Sequence, residues 1–266
     1  MAVVWSFLAS RILFTMLIRI LVLCASMLLF VNPACAEVSA VAVAANMKDA
    51  FSEIATAFQA TGKPAIRVVY GSSGNFTAQI MNGAPFNLFI SADEYFPLEL
   101  YKNGKTVDEG KVYAIGKLAI ITKNSSGIQL ESDKATLVKA INKANKIAIA
   151  KPDLAPYGKA AVEYLKAEGL WEIAKGKLVY GDNIGLATTY VITGAADLGF
   201  TAVSLAKSSE VSKDTNYLLL NGQLYEPIKQ RMVLMKGAPA EAVELYQFMQ
   251  GLTAQSILRK YGYTTS

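Results

Sequence analysis

Residues 66–81, IRVVYGSSGNFTAQIM, decide the predicted fold of this chain. The apolar run Ile66–Tyr70 predicts a short buried strand, and Phe76–Met81 predicts the first turns of a helix. Between them lies the small-residue loop Gly71–Asn75. Such a loop aims backbone N–H groups and hydroxyls at one point, and the helix dipole makes that point favour an anion. Glycine and serine are also ordinary turn residues, so this loop alone does not establish a ligand site.

The same alternation of strand and helix extends along the rest of the chain. Before and after the loop, we predict a strand ending at Ala45, a helix over Met47–Phe58 and a strand over Asn87–Ala92. Two long β-rich segments, 112–122 and 228–235, flank a second series. That series consists of helices over 137–144, 157–168 and 184–192 and strands over 147–150, 178–180, 198–201 and 216–220. Two further helices, 241–250 and 255–261, end the chain.

This pattern predicts an α/β protein of two parallel-type lobes joined by two crossing segments. The first lobe is expected to comprise residues 37–116 and 230–266, and the second residues 117–229. A single large doubly wound sheet is the competing fold. In both folds, ligands bind at the carboxyl ends of the parallel strands.

The first 36 residues are predicted to be a signal peptide that is cleaved on export. They contain the uncharged apolar block Ile20–Val31, followed by Pro33–Ala36, an A-x-A cleavage pattern. An uncleaved membrane anchor and lipidation of Cys35 are the alternatives. Translation from Met16 would give a shorter signal of the same kind.

Composition excludes several classes of function for the mature chain. Both cysteines lie within the predicted signal, and the chain contains no histidine. The mature chain therefore has no disulfide framework, no zinc or copper site and no histidine base. Removing two of the 26 basic residues leaves 24 against 21 acidic ones, a net charge of 24 − 21 = +3. This charge is too small to indicate nucleic-acid binding.

Four predicted strand ends carry polar residues that lead into a helix. They are Asn46, the loop Gly71–Asn75, the segment Lys151–Gly158 and the segment Asp182–Gly185. Two belong to each predicted lobe, so a cleft between the lobes would be ringed by four helix N-termini. Such a ring favours a small anion.

Four segments of the chain carry a family resemblance: Ala44–Asn46, Gly71–Gly74, Asn87–Asp93 and Arg259–Tyr263. They resemble the periplasmic molybdate-binding proteins of ABC transporters, and the resemblance extends over residues 37–266. The resemblance implies the two-lobed periplasmic binding protein fold, with one oxyanion held between the lobes.

The resemblance also implies which residues contact that oxyanion. They are Asn46, Ser73 through its hydroxyl and backbone N–H, Tyr157, and Ile184 through its backbone N–H. Many members of the family have alanine at the position of Tyr157 and a ligand-binding tyrosine at the position of Ala202. The phenol of Tyr157 could replace that tyrosine as a donor. Each residue also has an ordinary structural explanation, such as helix capping by Asn46 or a turn role for Ser73.

The expected function is high-affinity binding of molybdate or tungstate and delivery to an inner-membrane ABC transporter permease. We expect a periplasmic monomer with no cofactor, no protein-bound metal cation and no nucleic-acid partner. These dianions only accept hydrogen bonds, whereas phosphate near neutral pH also needs an acceptor, for which Asp182 is the candidate. A binding protein for sulfate or phosphate is the alternative. An exported enzyme is less favoured, because the sequence offers no nucleophile paired with a base.

Overall fold

The structure, a computed structural model, describes residues 39–265, and its regular elements form two five-stranded sheets covered by helices. The predicted signal peptide, residues 1–36, lies outside the described residues. None of the helices within the described range combines the length and apolar character needed to cross a membrane.

The strands of the described residues are numbered in chain order. They are β1 (Ala40–Ala44), β2 (Arg67–Gly71), β3 (Leu88–Ile90), β4 (Lys111–Gly116), β5 (Leu118–Lys123), β6 (Ile147–Ala150), β7 (Leu178–Gly181), β8 (Leu198–Ala202), β9 (Thr215–Leu219) and β10 (Ile228–Leu234).

The helices are numbered in the same way. They are α1 (Lys48–Gln59), α2 (Ser73–Met81), α3 (Tyr95–Lys102), α4 (Lys134–Lys143), α5 (Pro156–Ala167), α6 (Trp171–Ala174), α7 (Ile184–Ile192), α8 (Val203–Ala206), α9 (Ser209–Ser212), α10 (Ala240–Phe248) and α11 (Leu252–Lys260). Short 3-10 turns cover Ala45–Met47, Asn124–Ser126, Lys175–Lys177 and Gly222–Leu224.

Both sheets have the same arrangement of strands. The first has the order β2-β1-β3-β10-β4, in which β1 is parallel to β2 and β3 while β10 is antiparallel to β3 and β4. The second has the order β7-β6-β8-β5-β9, in which β6 is parallel to β7 and β8 while β5 is antiparallel to β8 and β9. The α/β class is confirmed. Each sheet is mixed rather than purely parallel, because β10 in the first sheet and β5 in the second run antiparallel to the βαβ strands beside them.

The chain passes between the two sheets within the predicted crossing segments. Strand β4 ends at Gly116 in the first sheet and β5 begins at Leu118 in the second, so Lys117 alone separates them. On the return, Ile228 is already paired with Gly116, and all of β10 belongs to the first sheet. The predicted lobe boundary between 229 and 230 divides this strand, and the lobe boundaries remain a prediction.

The first sheet is buried on both faces, as expected for strands between two layers of helices. Val41 and Val43 of β1 point into a core that includes residues of α1, α10 and α11. The intervening Ala42 packs with Phe76 of α2 and Leu100 of α3 on the opposite face. This alternation keeps β1 rigid up to Ala44, where the site begins.

Candidate functional site

The four residues that the sequence predicts as ligand contacts line one cavity at the carboxyl ends of parallel strands. Each is at most 3% exposed. They are Asn46, Ser73, Tyr157 and Ile184. The first two follow strands of the first sheet and the other two follow strands of the second, so the cavity lies between the lobes. Its volume is about 10 Å³, so the lobes are closed on one another.

Three helices begin at this cavity. Helix α2 begins at Ser73, α5 at Pro156 and α7 at Ile184. Among the described residues, the backbone N–H groups of Ser73, Tyr157 and Ile184 have no acceptor, as is normal for the first turn of a helix. Proline suits the first position of α5, because its missing N–H would have no partner within the helix. Three helix N-termini therefore present free donors to the same space.

Helix α2 begins earlier than the sequence predicts. The prediction that the helix starts at Phe76 is wrong, because Ser73, Gly74 and Asn75 already belong to its first turn. Ser72 has the extended backbone of an N-cap residue, which allows the helix to start directly after it. Ser73 thus contributes both a helix N-terminus and a side chain.

The hydroxyl of Ser73 is oriented so that its hydrogen is available to a ligand. Its oxygen accepts a hydrogen bond from the backbone N–H of Ala92 at 3.0 Å. The hydroxyl hydrogen has no acceptor among residues 39–265 and remains available to the cavity. An acceptor in this position would repel an anion, so this arrangement suits a ligand that only accepts hydrogen bonds.

Ser72 is a lining residue that the sequence prediction missed. Its side chain is 3% exposed, and its Oγ has no hydrogen-bond partner within the described residues. Although Ser72 is the N-cap of α2, its side chain makes no capping bond. Its position beside Ser73 in a polar loop was the available signal, but a serine at an N-cap is normally explained by capping alone.

Asn46 makes hydrogen bonds to side chains that are distant in the sequence. Its Nδ2 donates to Gln230 Oε1 at 3.0 Å and to the Tyr263 hydroxyl at 2.8 Å, while its Oδ1 has no partner in the described part of the chain. The backbone carbonyl of Asn46 accepts a hydrogen bond from Ser204 Oγ at 2.8 Å. The side chain makes no helix-capping bond, so the capping explanation does not apply.

Tyr157 is fully enclosed, and its hydroxyl lies 3.0 Å from the Gln230 amide. Burial raises the pKa of Tyr157 and Tyr113 well above that of an exposed tyrosine, so both stay neutral. A Cβ on Gly116 would overlap the Tyr157 hydroxyl, so the absence of a side chain at the end of β4 makes room for the phenol. The sequence prediction missed this role of Gly116.

Among residues 39–265, no charged side chain lines the cavity. Asp182, the candidate acceptor for phosphate, is exposed and forms an ion pair with Lys151 at 2.6 Å. The acceptor oxygen of Asn183 is occupied, because it caps α7 by binding the backbone N–H of Leu186 at 2.9 Å. Within residues 39–265, no cluster of three acidic, histidine or cysteine side chains could hold a metal ion.

Direct contacts between the lobes enclose the site. The backbone N–H of Gly74 in α2 donates to the carbonyl of Leu154, which precedes α5 in the second lobe, at 2.9 Å. On the other side, Ser204 of the second lobe bonds to Asn46 and to Tyr263. The fold and this enclosed, donor-lined cavity together define a solute-binding protein.

Comparison with known proteins places the chain in a family. Residues 40–264 match the bacterial extracellular solute-binding proteins, and the chain belongs to that family. The molybdate-binding protein ModA of Azotobacter vinelandii is 37% identical over 237 residues, covering 86% of this chain and 92% of that protein. ModA of Rhodobacter capsulatus is 36% identical over 236 residues, covering 88% and 90%.

A solved structure extends the comparison to three dimensions. The periplasmic molybdate-binding protein of Azotobacter vinelandii matches this fold with a TM-score of 0.77 at 31% identity, covering 86% of this chain and 99% of that one. The resemblance to periplasmic molybdate-binding proteins and the two-lobed fold are thereby confirmed.

Proposed function

We propose that this chain binds molybdate or tungstate between its lobes and delivers it to an ABC transporter. The ligand would contact Asn46, Ser73, Tyr157 and Ile184, with Ser72 as an additional donor. The observation that carries this proposal is a buried cavity that offers hydrogen-bond donors and no carboxylate. The names of the two ModA relatives support the identity of the anion.

Charge neutralisation does not require a buried lysine at this site. Each helix N-terminus contributes roughly half a positive charge. With α2, α5 and α7 directed at one point, the helices supply on the order of one and a half positive charges. Most of the lining residues are buried, so each of these interactions is stronger than it would be at the surface. A dianion fits this field better than a neutral solute.

Phosphate fits the cavity less well than molybdate. Near neutral pH, phosphate carries a hydrogen that must be donated to an acceptor, and an unpaired hydrogen or lone pair costs about 1–3 kcal/mol. The acidic side chain predicted for this role, Asp182, forms an ion pair with Lys151 instead. Among residues 39–265, no carboxylate lines the cavity to accept that hydrogen.

We also propose export, cleavage after residue 36, and action as a periplasmic monomer beside an inner-membrane permease. The signal pattern of the sequence and the periplasmic relative support this part of the proposal. The lobes are proposed to comprise residues 37–116 with 230–266, and residues 117–229. Binding, rather than catalysis, is the role proposed for the cleft.

Calorimetric titration of the chain from residue 37 with molybdate, tungstate, sulfate and phosphate tests the proposal. We expect sub-micromolar affinity for molybdate and tungstate, an affinity of about −8 kcal/mol or stronger. Binding of phosphate at that strength without binding of molybdate would refute it. Small-angle scattering with and without molybdate tests closure, because ligand binding should reduce the radius of gyration.

A further inference from the structure

The carboxyl-terminal segment Arg259–Tyr263 carries part of the family resemblance but supplies no contact to the proposed ligand. It lies against α8, which directly follows β8 of the second sheet. A Cβ on Gly262 would lie 2.8 Å from Val203 Cγ1, so the lack of a side chain at Gly262 allows this approach. At the end of α8, Lys207 Nζ donates to the carbonyl of Lys260 at 2.8 Å. The end of the chain therefore packs against the second lobe.

The same segment is also anchored to the first sheet. Thr264 pairs with Ile115 of β4, and their backbone groups exchange hydrogen bonds of 2.7 and 3.0 Å. The preceding residue, Tyr263, is buried in the core that contains Val41 and Val43 of β1. Tyr263 is therefore fixed in the first lobe, while the residues just before it touch the second.

The hydroxyls of Tyr263 and Ser204 meet at the backbone carbonyl of Asn46. Ser204, the second residue of α8, donates to that carbonyl at 2.8 Å. The Tyr263 hydroxyl lies 3.0 Å from the same carbonyl oxygen and 2.9 Å from Ser204 Oγ, and it accepts from Asn46 Nδ2 at 2.8 Å. Burial raises the pKa of Tyr263, so the phenol keeps its one hydrogen. Whether that hydrogen goes to Ser204 or to the carbonyl, Asn46 is bonded to both lobes.

Asn46 depends on these partners for its conformation. It lies in the 3-10 turn Ala45–Met47, which has no side-chain cap. The hydrogen-bond geometry of such a turn is poor, so tertiary contacts decide how it is held. The Asn46 carbonyl belongs to the peptide unit that joins Asn46 to Met47, and fixing this unit fixes the direction in which Asn46 faces the cavity. A binding residue must be held to within about 0.5 Å of its productive position.

We propose that Ser204 and Tyr263 are positioning residues that hold Asn46 in place for the bound oxyanion. Neither side chain lines the cavity, so both act on the ligand through Asn46. Ser204 acts from the second lobe, which couples the placement of Asn46 to closure, and Tyr263 acts from the carboxyl-terminal segment. This inference rests on the proposed function of the site, in which Asn46 contacts the ligand.

Removal of the Ser204 hydroxyl tests the contact from the second lobe. Ser204→Ala should bind molybdate about three- to tenfold more weakly, the loss expected for one hydrogen bond between neutral groups. The loss should appear as faster dissociation, because the contact belongs to the closed form. Ser208→Ala is the matched control, because Ser208 is also 4% exposed and its hydroxyl contacts only the backbone N–H of Val211 among residues 39–265. The control should bind molybdate normally.

Removal of the Tyr263 hydroxyl tests the contact from the carboxyl-terminal segment. Tyr263→Phe should weaken molybdate binding to a similar degree. Tyr246→Phe is its control, because the Tyr246 hydroxyl is buried without a hydrogen-bond partner among the described residues. This control should keep the affinity of the unmodified chain. If Ser204→Ala does not fold, Tyr263→Phe and its control decide the question.

A spectroscopic signal reports on Asn46 itself. Asn46–Met47 is the only place in the chain where methionine follows asparagine. Labelling asparagine carbonyls with ¹³C and methionine nitrogens with ¹⁵N therefore isolates the peptide unit that contains the Asn46 carbonyl. With molybdate bound, the carbonyl shift should change in Ser204→Ala and Tyr263→Phe, since it responds to hydrogen bonding, and should stay the same in both controls. A general loss of stability would not produce this pattern.

The outcomes separate this inference from the proposed function. An equal loss of affinity in Ser204→Ala and Ser208→Ala, or an unchanged Asn46 carbonyl signal in Ser204→Ala, would overturn the positioning role alone. An unmodified chain that does not bind molybdate would overturn both proposals.

Discussion

The contact between Gly74 and Leu154 allows closure to be tested separately from folding. A Cβ on Gly74 would lie 2.9 Å from Leu154 Cα and 3.1 Å from the Leu154 carbonyl oxygen, closer than side chains tolerate. The same Cβ would lie 2.9 Å from the Phe96 ring, which is the end of a side chain and can move. The two Leu154 atoms belong to the backbone of the opposite lobe and cannot move as a side chain can. Gly74→Ala should therefore push the lobes apart.

The size of the effect follows from two terms. Overpacking costs about 1–3 kcal/mol, and loss of the Gly74–Leu154 hydrogen bond adds about 0.5–1.5 kcal/mol. The closed form should therefore be destabilised by about 2–4 kcal/mol relative to the open form, which weakens molybdate binding by roughly 30-fold to 1,000-fold. Gly74 lies in the first turn of α2, where a helix accepts alanine as readily as glycine. The ligand-free chain should therefore keep its thermal stability.

Calorimetry and thermal unfolding, performed on the same samples, check this prediction. Gly176→Ala is the matched control, because no atom lies within 4 Å of its added Cβ and its φ needs no glycine. The control should bind normally. If Gly74→Ala binds molybdate as tightly as the unmodified chain, the closed arrangement described here is not the ligand-bound one.

Three further predictions concern the site and its rim. Ser73→Ala should weaken molybdate binding by about 1.5–3 kcal/mol, because it removes a donor to a charged ligand. Calorimetry compares it with the exposed control Ser52→Ala, which should bind molybdate normally. Asn46→Asp should lower molybdate affinity by about a hundredfold or more, since it places a carboxylate beside a dianion, and equal affinity would exclude direct contact. Burial raises the pKa of Asp93 from 3.8 to about 6. The folded chain therefore holds that proton more tightly, and the free energy of unfolding should fall as the pH rises through this range. Asp93→Asn should abolish that contribution in urea titrations at several pH values, and an unchanged pH profile would argue against it.

Local pattern was sufficient to predict most of the fold. Strands and helices with a clear apolar period were predicted within a few residues, as β6 and α7 illustrate. Helix α3 was missed, because Pro97 lies in its first turns and interrupts the usual helical signal. The predicted segment 112–122 is two strands in different sheets, and they divide at Lys117, where the predicted lobe boundary also falls.

Some residues of the candidate site were predicted from the sequence, and others were not. The four contact residues that the family resemblance implies line one cavity, and each stands where a strand runs into a helix or helical turn. Ser72 and Gln230 were not predicted, because their significance depends on neighbours that the sequence does not place beside them. Gln230 is 184 positions from Asn46, and its sequence context is an ordinary alternating strand.

The sequence by itself determined the alternation of strands and helices, the donor-bearing loops and the class of ligand that such loops favour. These follow from apolar periodicity, from helix N-termini and from residue chemistry, all of which act over a few neighbouring residues. Only the tertiary structure decided that those loops meet, that Gly74 must lack a side chain, and which side chains hold Asn46 in place. The physical reason is that a buried hydrogen bond depends on every partner of both groups. Here the partners of Asn46 lie as far as 217 positions along the chain.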